Sequence, residues 1–415
     1  MKLETILRKY KIQMKEINYN NVFKKLPNSK AVNFLNNKYF LDETKIMDSF
    51  DIQLFDYIDD NDLYENMSSL EIEGIVTSKA ISSKAQKASE EIVEDGLINY
   101  STFNNNDFNM QIIKLINNRY DLMDKKNKPP KIIFYRNTGI NLALNFINSI
   151  GSNFNLSDEL MLNYTYQLLI VFGNALEEKE QLEKRSLYRK GEVSITNGLM
   201  KIDEGIPGKD VKKQMDKLLN LFKDEKIRKY SNWTFASIIH FLFIEIHPYY
   251  DGNGRMARLL IKAIANKEDS GGHWAKHINK IILWLQPAYN KSIQLSRKTN
   301  DLTFFLVFMD YVYKSSFLTE QIISEENERL LEKKRSINGL QPTILCFFLI
   351  QQMPLSWKHI KKHIVGAKEL TEQRIKQILN KMVENDLLAK DKMDNTNIYV
   401  LSERIKKTLA SKGGE

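Results

Sequence analysis

Residues 246–258 read Ile-His-Pro-Tyr-Tyr-Asp-Gly-Asn-Gly-Arg-Met-Ala-Arg. The run before them, residues 235–246, is almost wholly apolar and lacks proline and glycine, which predicts a buried helix that ends before Pro248. Residues 256–264 resume a helical apolar pattern. The Gly-Asn-Gly turn should therefore lie at the N-terminus of a second helix, where unpaired backbone N–H groups favour an anion. The stretch predicts a phosphate site between two core helices.

The side chains around this turn suit the chemistry of phosphoryl transfer. Arg255 and Arg258, three residues apart on the second helix, can both reach one polyphosphate. Asp251 is placed to hold a Mg²⁺ that bridges phosphate oxygens. His247 lies beside the anion cradle and is suited to act as a general base toward an incoming hydroxyl. The alternative is a polar turn between core helices, but that requires all these groups to coincide without a role.

The stretch resembles the signature of the Fic family, His-x-Phe-x-Asp/Glu-Gly-Asn-Gly-Arg-x-x-Arg, with Tyr249 where phenylalanine is usual. The resemblance implies transfer of AMP from ATP to a Ser, Thr or Tyr hydroxyl of a target protein, with pyrophosphate leaving. It implies His247 as the base and Asp251 as the Mg²⁺ ligand. The nucleotide-binding residues that it implies are Gly252, Asn253 and Gly254 as the anion hole, and Arg255 and Arg258 as a clamp on the β- and γ-phosphates.

A second element stands far upstream, in Ser69-x-x-x-Glu73-Gly74. Alone it predicts a short surface helix with Ser69 as N-cap and Gly74 as its stop. Beside the downstream signature it resembles the family's inhibitory motif, Ser/Thr-x-x-x-Glu-Gly/Asn. A Glu73 carboxylate paired with Arg258 would occupy the fork that otherwise grips the γ-phosphate, and ATP would bind in a pose unsuited to in-line attack.

Two further features follow from the same resemblance. Residues 188–202 contain an Asn-Gly turn between short alternating runs, which predicts a β-hairpin. In Fic proteins a hairpin at this place, the flap, pairs with an extended target segment, so the target protein is expected along residues 188–202. Tyr289 resembles the family's nucleotide-side tyrosine and could stack on adenine; a core tyrosine is the alternative. Self-modification and a homodimer are left open.

Composition bounds the class of protein. The chain has 415 residues, 42% of them hydrophobic, which predicts two or three domains. The single cysteine, Cys346, excludes an intramolecular disulfide and favours a reducing, cytoplasmic location. The N-terminus has no apolar signal region and no run approaches the roughly 18 apolar residues of a membrane span, so no membrane association is expected.

The net charge of +9 is concentrated at the C-terminal end, because residues 333–415 hold 16 Lys and Arg against 8 Asp and Glu. There, three helical patterns at 343–352, 357–364 and 371–385 precede two short strands at 388–390 and 398–401. This order resembles a winged helix-turn-helix. Its third helix carries Arg374, Lys376 and Lys381, which is consistent with DNA groove or phosphate contact. A protein-interaction surface is the alternative.

The predicted fold class is mainly α: a Fic helical core with a small β-hairpin flap, plus a C-terminal winged-helix domain. Earlier helical patterns lie at 141–150, 156–175 and 211–222. The predicted domains are an N-terminal region at 1–115 with the inhibitory helix around 69–74, a catalytic core at 116–320, a linker helix at 321–335 and the winged-helix module at 336–415.

The predicted function is that of a protein adenylyltransferase that uses ATP and Mg²⁺ and is autoinhibited by Glu73 through Arg258. Two alternatives stay open. One is a hydrolase that removes AMP from modified proteins, in which Glu73 would position water. The other is a DNA-binding regulator whose Fic core is vestigial.

Overall fold

The computed structural model describes residues 79–94, 105–123, 128, 131–170, 188–197, 200–204, 206–222, 232–266, 277–286, 289–290, 292–293, 296, 302–351, 353–364, 367, 370–393 and 396–412. These residues are mainly helical with small antiparallel sheets, so the predicted mainly α class is confirmed. They divide into two compact units. The first unit holds residues 79–266 and 286–310, and the second holds 277–285 and 311–412. Among them, no helix has the length and apolarity that crossing a bilayer requires.

The first unit is a helical bundle that also carries one β-hairpin. Its helices are α1 (Lys79–Glu94), α2 (Asn105–Asp121), α3 (Lys131–Ile150), α4 (Glu159–Leu169), α5 (Val211–Leu221), α6 (Asn232–Ile246) and α7 (Asn253–Ala265). Short 3₁₀ turns lie at Gly151–Asn153 and Gly208–Asp210. Helix α3 packs against both α1 and α4.

Helices α6 and α7 form the centre of this bundle. Ten of the fifteen α6 residues are apolar, and they lie on most sides of the helix, as expected for a helix in a core. Its buried residues are Phe235, Ala236, Ile238, Ile239, Phe241, Leu242, Phe243 and Ile246. Helix α7 packs along α6, while α5 contacts α6, and α3 and α4 contact α7. The predicted pair of core helices on either side of the Gly-Asn-Gly turn is confirmed.

Helix α3 begins at Lys131, well before the predicted start at residue 141. The residues that interrupted the apolar pattern, Asn137 and Thr138, satisfy their own polar groups inside the helix. The Asn137 side chain donates to the Ile133 carbonyl at 2.8 Å, and the Thr138 hydroxyl donates to the Phe134 carbonyl at 2.9 Å. Back-bonding of this kind lets a polar residue lie on a buried turn without ending the helix.

The predicted hairpin is confirmed as two antiparallel strands, β1 (Ser194–Asn197) and β2 (Met200–Glu204). Asn197 pairs with Met200 next to the turn, and Ser194 pairs with Glu204 at the open end. The register shifts between Ile195 and Thr196, which marks a bulge. A bulge bends its strand and increases the local twist.

The second unit combines helices with a three-stranded sheet. Helix α9 (Thr303–Leu331) begins in the first unit, and its residues from 311 onward belong to the second. The remaining elements are α8 (Ile278–Trp284), α10 (Gln341–Gln351), β3 (Leu355–Ser356), α11 (Trp357–His363), α12 (Glu372–Glu384), β4 (Leu388–Met393), β5 (Thr396–Leu401) and α13 (Glu403–Lys412). The sheet order is β3-β5-β4, with both pairs antiparallel.

The three helices and two strands predicted near the C-terminus are found as α10, α11, α12, β4 and β5. Thr371 caps α12, since its hydroxyl accepts a hydrogen bond from the Arg374 N–H at 3.2 Å. Strand β3 was not predicted, because two residues give no readable alternation. Helix α13 was also missed, since only Ile405, Leu409 and Ala410 of its ten residues are apolar.

A buried carboxylate ties α13 to the rest of the second unit. The Glu326 side chain, only 7% exposed, accepts hydrogen bonds from Arg329 at 2.8 Å and from Arg404. Arg404 also donates through Nε to Asp386 Oδ2 at 2.7 Å. A buried carboxylate is tolerated only when such donors satisfy it.

We predict that Arg404→Ala lowers the stability of the protein by about 1.5–3 kcal/mol, because Glu326 loses one of its charged donors. The matched control is Lys406→Ala on the same helix, since Lys406 pairs with Glu403, which is 79% exposed. That control should cost less than about 0.5 kcal/mol. Differential scanning calorimetry of both variants checks this, and equal unfolding temperatures would contradict it.

Candidate active site

The loop that joins α6 to α7 has the shape that its glycines and proline predict. Helix α6 ends at Ile246, the residue after it is His247, and Pro248 follows. Gly252 has a φ of +82° and caps α7, which begins at Asn253. Only glycine adopts this left-handed conformation readily, so Gly252 sets the direction in which α7 starts. The predicted Gly-Asn-Gly turn therefore does lie at a helix N-terminus.

The side chain of Asn253 closes this loop. Its Oδ1 accepts a hydrogen bond from the Tyr249 N–H at 2.9 Å, and its Nδ2 donates to the Tyr249 carbonyl at 2.7 Å. Asn253 is 2% exposed. Both ends of the amide are thus engaged by one backbone residue, so the side chain fixes the loop. A contribution of Asn253 to an anion hole would come from its backbone N–H.

Tyr249 anchors the loop in the core. It is 1% exposed, and its ring stacks on Tyr166 with the centroids 3.5 Å apart and the planes 8° from parallel. The Tyr166 hydroxyl donates to the Asp251 carbonyl at 3.1 Å. Burial raises the pKa of the Tyr249 hydroxyl well above its usual range. Tyr166 was not singled out from the sequence, since nothing local links residues so far apart.

The buried guanidinium of Arg189 holds the backbone on both sides of His247. It is 2% exposed and donates to the carbonyls of His247 at 2.6 Å, Gly191 at 2.8 Å, Ile206 at 2.7 Å and Ile246 at 3.2 Å. The Arg189 backbone N–H donates to the Pro248 carbonyl at 2.9 Å. Two of these acceptors are carbonyls at the C-terminal end of α6, where a positive charge is favourable.

Arg189 thereby supports an uncommon backbone at His247. His247 has a φ of +49°, which few residues other than glycine adopt. Such a conformation costs of order 1–3 kcal/mol and persists only where the surroundings determine it. Here the carbonyls immediately before and after the bend are both bound by donors of Arg189. The position of the proposed base therefore depends on a residue outside the signature.

Hydrogen bonds of Arg189 and Gly191 join the base of the hairpin to the loop that contains His247. The Gly191 N–H donates to the hydroxyl of Tyr250 at 3.0 Å. At Gly208 the chains come so close that an added Cβ would lie 2.0 Å from the Lys190 carbonyl oxygen, so no other residue fits. Since Arg189 bonds carbonyls on both segments, the base of the hairpin and the loop of residues 246–253 are joined by direct hydrogen bonds.

The charged groups of the signature lie together at the start of α7. Arg255 is 4% exposed at its side chain and bonds Asp251 at 2.9 Å, while the Asp251 side chain is 67% exposed. The Arg258 guanidinium lies against Gly254, where an added Cβ would be 3.4 Å from Nη1. Arg258 thus lies beside the predicted anion hole, whereas Arg255 forms an ion pair with Asp251.

The exposed carboxylate of Asp251 fits the predicted Mg²⁺ site by its donor chemistry. No group of three or more His, Cys, Asp or Glu residues that could hold a metal ion occurs in the described part of the chain. Beside nucleotides Mg²⁺ takes one or two carboxylates and completes its shell with phosphate oxygens and water. Asp251 Oδ1 accepts from the Gly252 N–H at 2.6 Å and Oδ2 from Arg255 at 2.9 Å, and each oxygen has a second lone pair.

Tyr289 lies in the core next to a histidine that the sequence did not reveal. Tyr289 is 8% exposed and its hydroxyl is 2.8 Å from Nε2 of His240. His240 is fully buried and stacks on Phe305, with the centroids 5.7 Å apart. Burial, together with the positive charge of Arg258, lowers the pKa of His240 to about 3. These contacts favour the core role for Tyr289. The one signal for His240 was a polar ring within a run of mainly apolar residues.

The predicted inhibitory residues Ser69, Glu73 and Gly74 lie outside the described residues.

One segment of the chain matches a known protein family. Residues 181–265, from ahead of Arg189 to the end of α7, match the model of the Fic/DOC family, which confirms a Fic/DOC domain in that segment. A crystal structure of a Fic family protein from Desulfovibrio desulfuricans G20 is 16% identical, with a TM-score of 0.39, and covers 91% of this chain and 98% of that one. A Fic domain containing signaling protein from Bacteroides thetaiotaomicron VPI-5482 is 13% identical, with a TM-score of 0.35, and covers 67% of this chain and 100% of that one.

We predict that Arg189→Ala lowers the stability of the protein by at least about 3 kcal/mol, because several buried carbonyls lose their donors together. The stability of Arg189→Lys should lie between those of the unchanged protein and of Arg189→Ala, since an ammonium group cannot bond all four carbonyls. Lys209→Ala, an exposed change near the hairpin base, is the matched control. Thermal unfolding followed by circular dichroism measures the series. A melting temperature for Arg189→Ala equal to that of the control would refute the role of this network.

A second prediction concerns Tyr249, whose hydroxyl has no hydrogen-bond partner among the described residues. A buried unpaired hydroxyl costs about 1–3 kcal/mol. Tyr249→Phe should therefore raise the unfolding temperature while the stack on Tyr166 is kept. Tyr166→Leu serves as the opposite control, because it removes the stack and should lower that temperature. A drop in stability for Tyr249→Phe would show that the hydroxyl is bonded after all.

Proposed function

We propose that this chain is a protein adenylyltransferase, which moves AMP from ATP to a Ser, Thr or Tyr hydroxyl of a target protein. Proteins with a Fic domain are in general nucleotidyl or phosphoryl transferases. One observation carries the finer proposal: the loop from His247 to Gly254 is already held in shape by contacts inside the protein, with Arg258 next to its anion hole. A site whose donors are fixed in advance needs no reorganisation when charge develops.

The triphosphate of ATP would bind at the N-terminus of α7. The first N–H groups of this 13-residue helix have no partner within the helix, and its dipole places partial positive charge there. Arg258 adds a full positive charge beside Gly254. Together these groups would take the negative charge of the β- and γ-phosphates, which grows as pyrophosphate leaves.

The proposed reaction is a single displacement at the α-phosphorus. The His247 imidazole removes the proton of the target hydroxyl, whose oxygen forms a bond to the α-phosphorus. The bond from the α-phosphorus to the oxygen bridging the β-phosphate breaks, and pyrophosphate leaves with that electron pair. Asp251 would hold Mg²⁺, which when bound neutralises part of the triphosphate charge. The proton stays on His247 until solvent removes it.

The hairpin of β1 and β2 would present the target. A two-stranded sheet has unpaired N–H and C=O groups along its edges, and an extended peptide can add to such an edge. The base of this hairpin is tied to the loop of His247 through Arg189. A hydroxyl on the added strand would then be positioned relative to His247 rather than move independently of it. This supports residues 188–202 as the place where the target binds.

We further propose that Glu73 inhibits the transfer through Arg258. The support is the place of Arg258 beside the anion hole, where a carboxylate would compete with the γ-phosphate for one guanidinium fork. The alternative of a hydrolase that removes AMP uses the same residues with a different role for Glu73. In that case Glu73 would position the attacking water, so its removal would abolish activity rather than release it.

Residues 336–415 are proposed to form a winged helix-turn-helix module. The support is the order helix, strand, helix, helix, strand, strand from α10 to β5, with β5 central in the sheet. The helices α11 and α12 pack on each other, and α12 also packs on β4. This is the arrangement in which the second helix supports the third.

The test is label transfer from ATP carrying ³²P at the α-phosphate, with Mg²⁺, to cell extract and to the chain itself. We expect Glu73→Gly to raise labelling at least about tenfold, the equivalent of about 1.4 kcal/mol of inhibition. Adding His247→Ala to Glu73→Gly should lower it by about 10²–10⁴-fold, as for loss of a general base. Glu71→Gly, in the same stretch, is the matched control and should label like the unchanged protein.

Two results would overturn the proposal. No label in any variant, with ATP or with the other nucleoside triphosphates, removes the transferase and favours the alternative of a vestigial core. Loss of AMP from a labelled target with the unchanged protein, abolished by Glu73→Gly, establishes the hydrolase instead.

A further inference from the structure

Tyr250 differs from the other tyrosines around the α6–α7 loop (residues 247–252), because its ring is exposed. Tyr166, Tyr188 and Tyr249 are buried, whereas Tyr250 is 58% exposed. A single exposed aromatic side chain is ordinary on a protein surface. This one directly precedes Asp251, the proposed Mg²⁺ ligand, so its ring borders the candidate site.

The Tyr250 hydroxyl contacts the base of the hairpin. It accepts a hydrogen bond from the Gly191 N–H at 3.0 Å, and Gly191 lies three residues before β1 begins at Ser194. The ring also lies against Gly191, where an added Cβ would be 3.1 Å from the hydroxyl oxygen and 3.7 Å from Cε1. The glycine therefore leaves room for the ring. The phenol lies where the hairpin meets the α6–α7 loop, and more than half of its side chain remains in solvent.

Both backbone polar groups of Gly191 already have partners inside the protein. Its N–H donates to Tyr250, and its carbonyl accepts from Arg189 at 2.8 Å. A target segment that runs along the hairpin therefore cannot use this N–H. The Tyr250 hydroxyl offers a donor in its place, since a hydroxyl that accepts one hydrogen bond can still donate its own proton. No described residue accepts that proton.

We propose that Tyr250 binds the target protein and selects the residue next to the modified hydroxyl. Its hydroxyl donates to a backbone carbonyl of an extended target segment. Its ring packs against an apolar or aromatic side chain beside the Ser, Thr or Tyr that receives AMP. Tyrosine suits this contact, because it buries a large ring at a small cost in conformational entropy while its hydroxyl keeps a polar partner. The inference rests on the proposed function, but the contact can be measured without any transfer of AMP.

The experiment measures binding of peptides to the full chain. Peptides are selected from displayed random sequences with a fixed central serine, threonine or tyrosine, and binding of a fluorescein-labelled selected peptide is followed by anisotropy. We expect the selected peptides to prefer an apolar or aromatic residue beside the fixed hydroxyl. Tyr250→Phe should weaken binding about three- to tenfold, because one hydrogen bond is lost. Tyr250→Ala should weaken it about ten- to a hundredfold, because the contact with the ring is lost as well. Selection on Tyr250→Ala should no longer show the preference.

The matched control is Leu122→Ala, which removes exposed apolar surface elsewhere in the first unit, since Leu122 is 79% exposed. This variant should bind the selected peptide like the unchanged protein. A purely structural role for Tyr250 predicts that affinity for ATP and melting temperature fall together with affinity for the peptide. We expect instead that both stay as in the unchanged protein, with ATP affinity measured by displacement of a fluorescent ATP analogue.

Three results would overturn the inference. They are failure to select any peptide, Tyr250→Ala with the peptide affinity and preference of the control, and a loss of ATP affinity in Tyr250→Ala as large as its loss of peptide affinity. Failure of the proposed function gives a different result. A chain that binds the peptide through Tyr250 but transfers no AMP would refute the adenylyltransferase and keep Tyr250 as the residue that selects the bound segment.

Discussion

The candidate site depends on one buried cation, the guanidinium of Arg189. It donates hydrogen bonds to carbonyls at the end of α6 and at the base of the β1–β2 hairpin. It therefore joins two segments that are far apart in the chain. Burial lowers the pKa of this guanidinium, but arginine stays charged in proteins. Among the described residues its hydrogen-bond acceptors are backbone oxygens and not a carboxylate. Its charged donors therefore fix the path of the backbone.

That constraint explains how His247 can leave α6 in a left-handed conformation. Its own N–H still bonds the Phe243 carbonyl at 3.0 Å, so the helix continues up to the residue and then stops. Pro248 cannot donate a further helical hydrogen bond, and Gly252 supplies the second left-handed residue. Asn253, which follows Gly252, closes the loop on Tyr249. The turn is thus fixed by local chemistry inside it and by Arg189 outside it.

The sequence was informative where the cause is local. Pro248, Gly252 and the apolar runs determine where α6 ends and α7 begins, and Asn197-Gly198 indicates the hairpin, so these were predicted correctly. It was uninformative where the cause is a distant partner. The stack of Tyr166 on Tyr249 and the bonds from Arg189 to residues 246–248 join segments far apart in the chain. The start of α3 was misplaced because Asn137 and Thr138 satisfy themselves inside it.

Two histidines, one in the middle of α6 and one just after its end, show how the environment of a residue determines its protonation. His240 and His247 are seven residues apart, which puts them on similar sides of a helix axis. His240 is fully buried, and its pKa of about 3 keeps it neutral at any physiological pH. A neutral ring beside Arg258 does not repel that guanidinium, so the positive charge beside Gly254 is held without a competing cation. His247 is only half-buried at the loop. The first histidine therefore serves as a neutral core residue that bonds Tyr289, and the second is the one proposed for proton transfer.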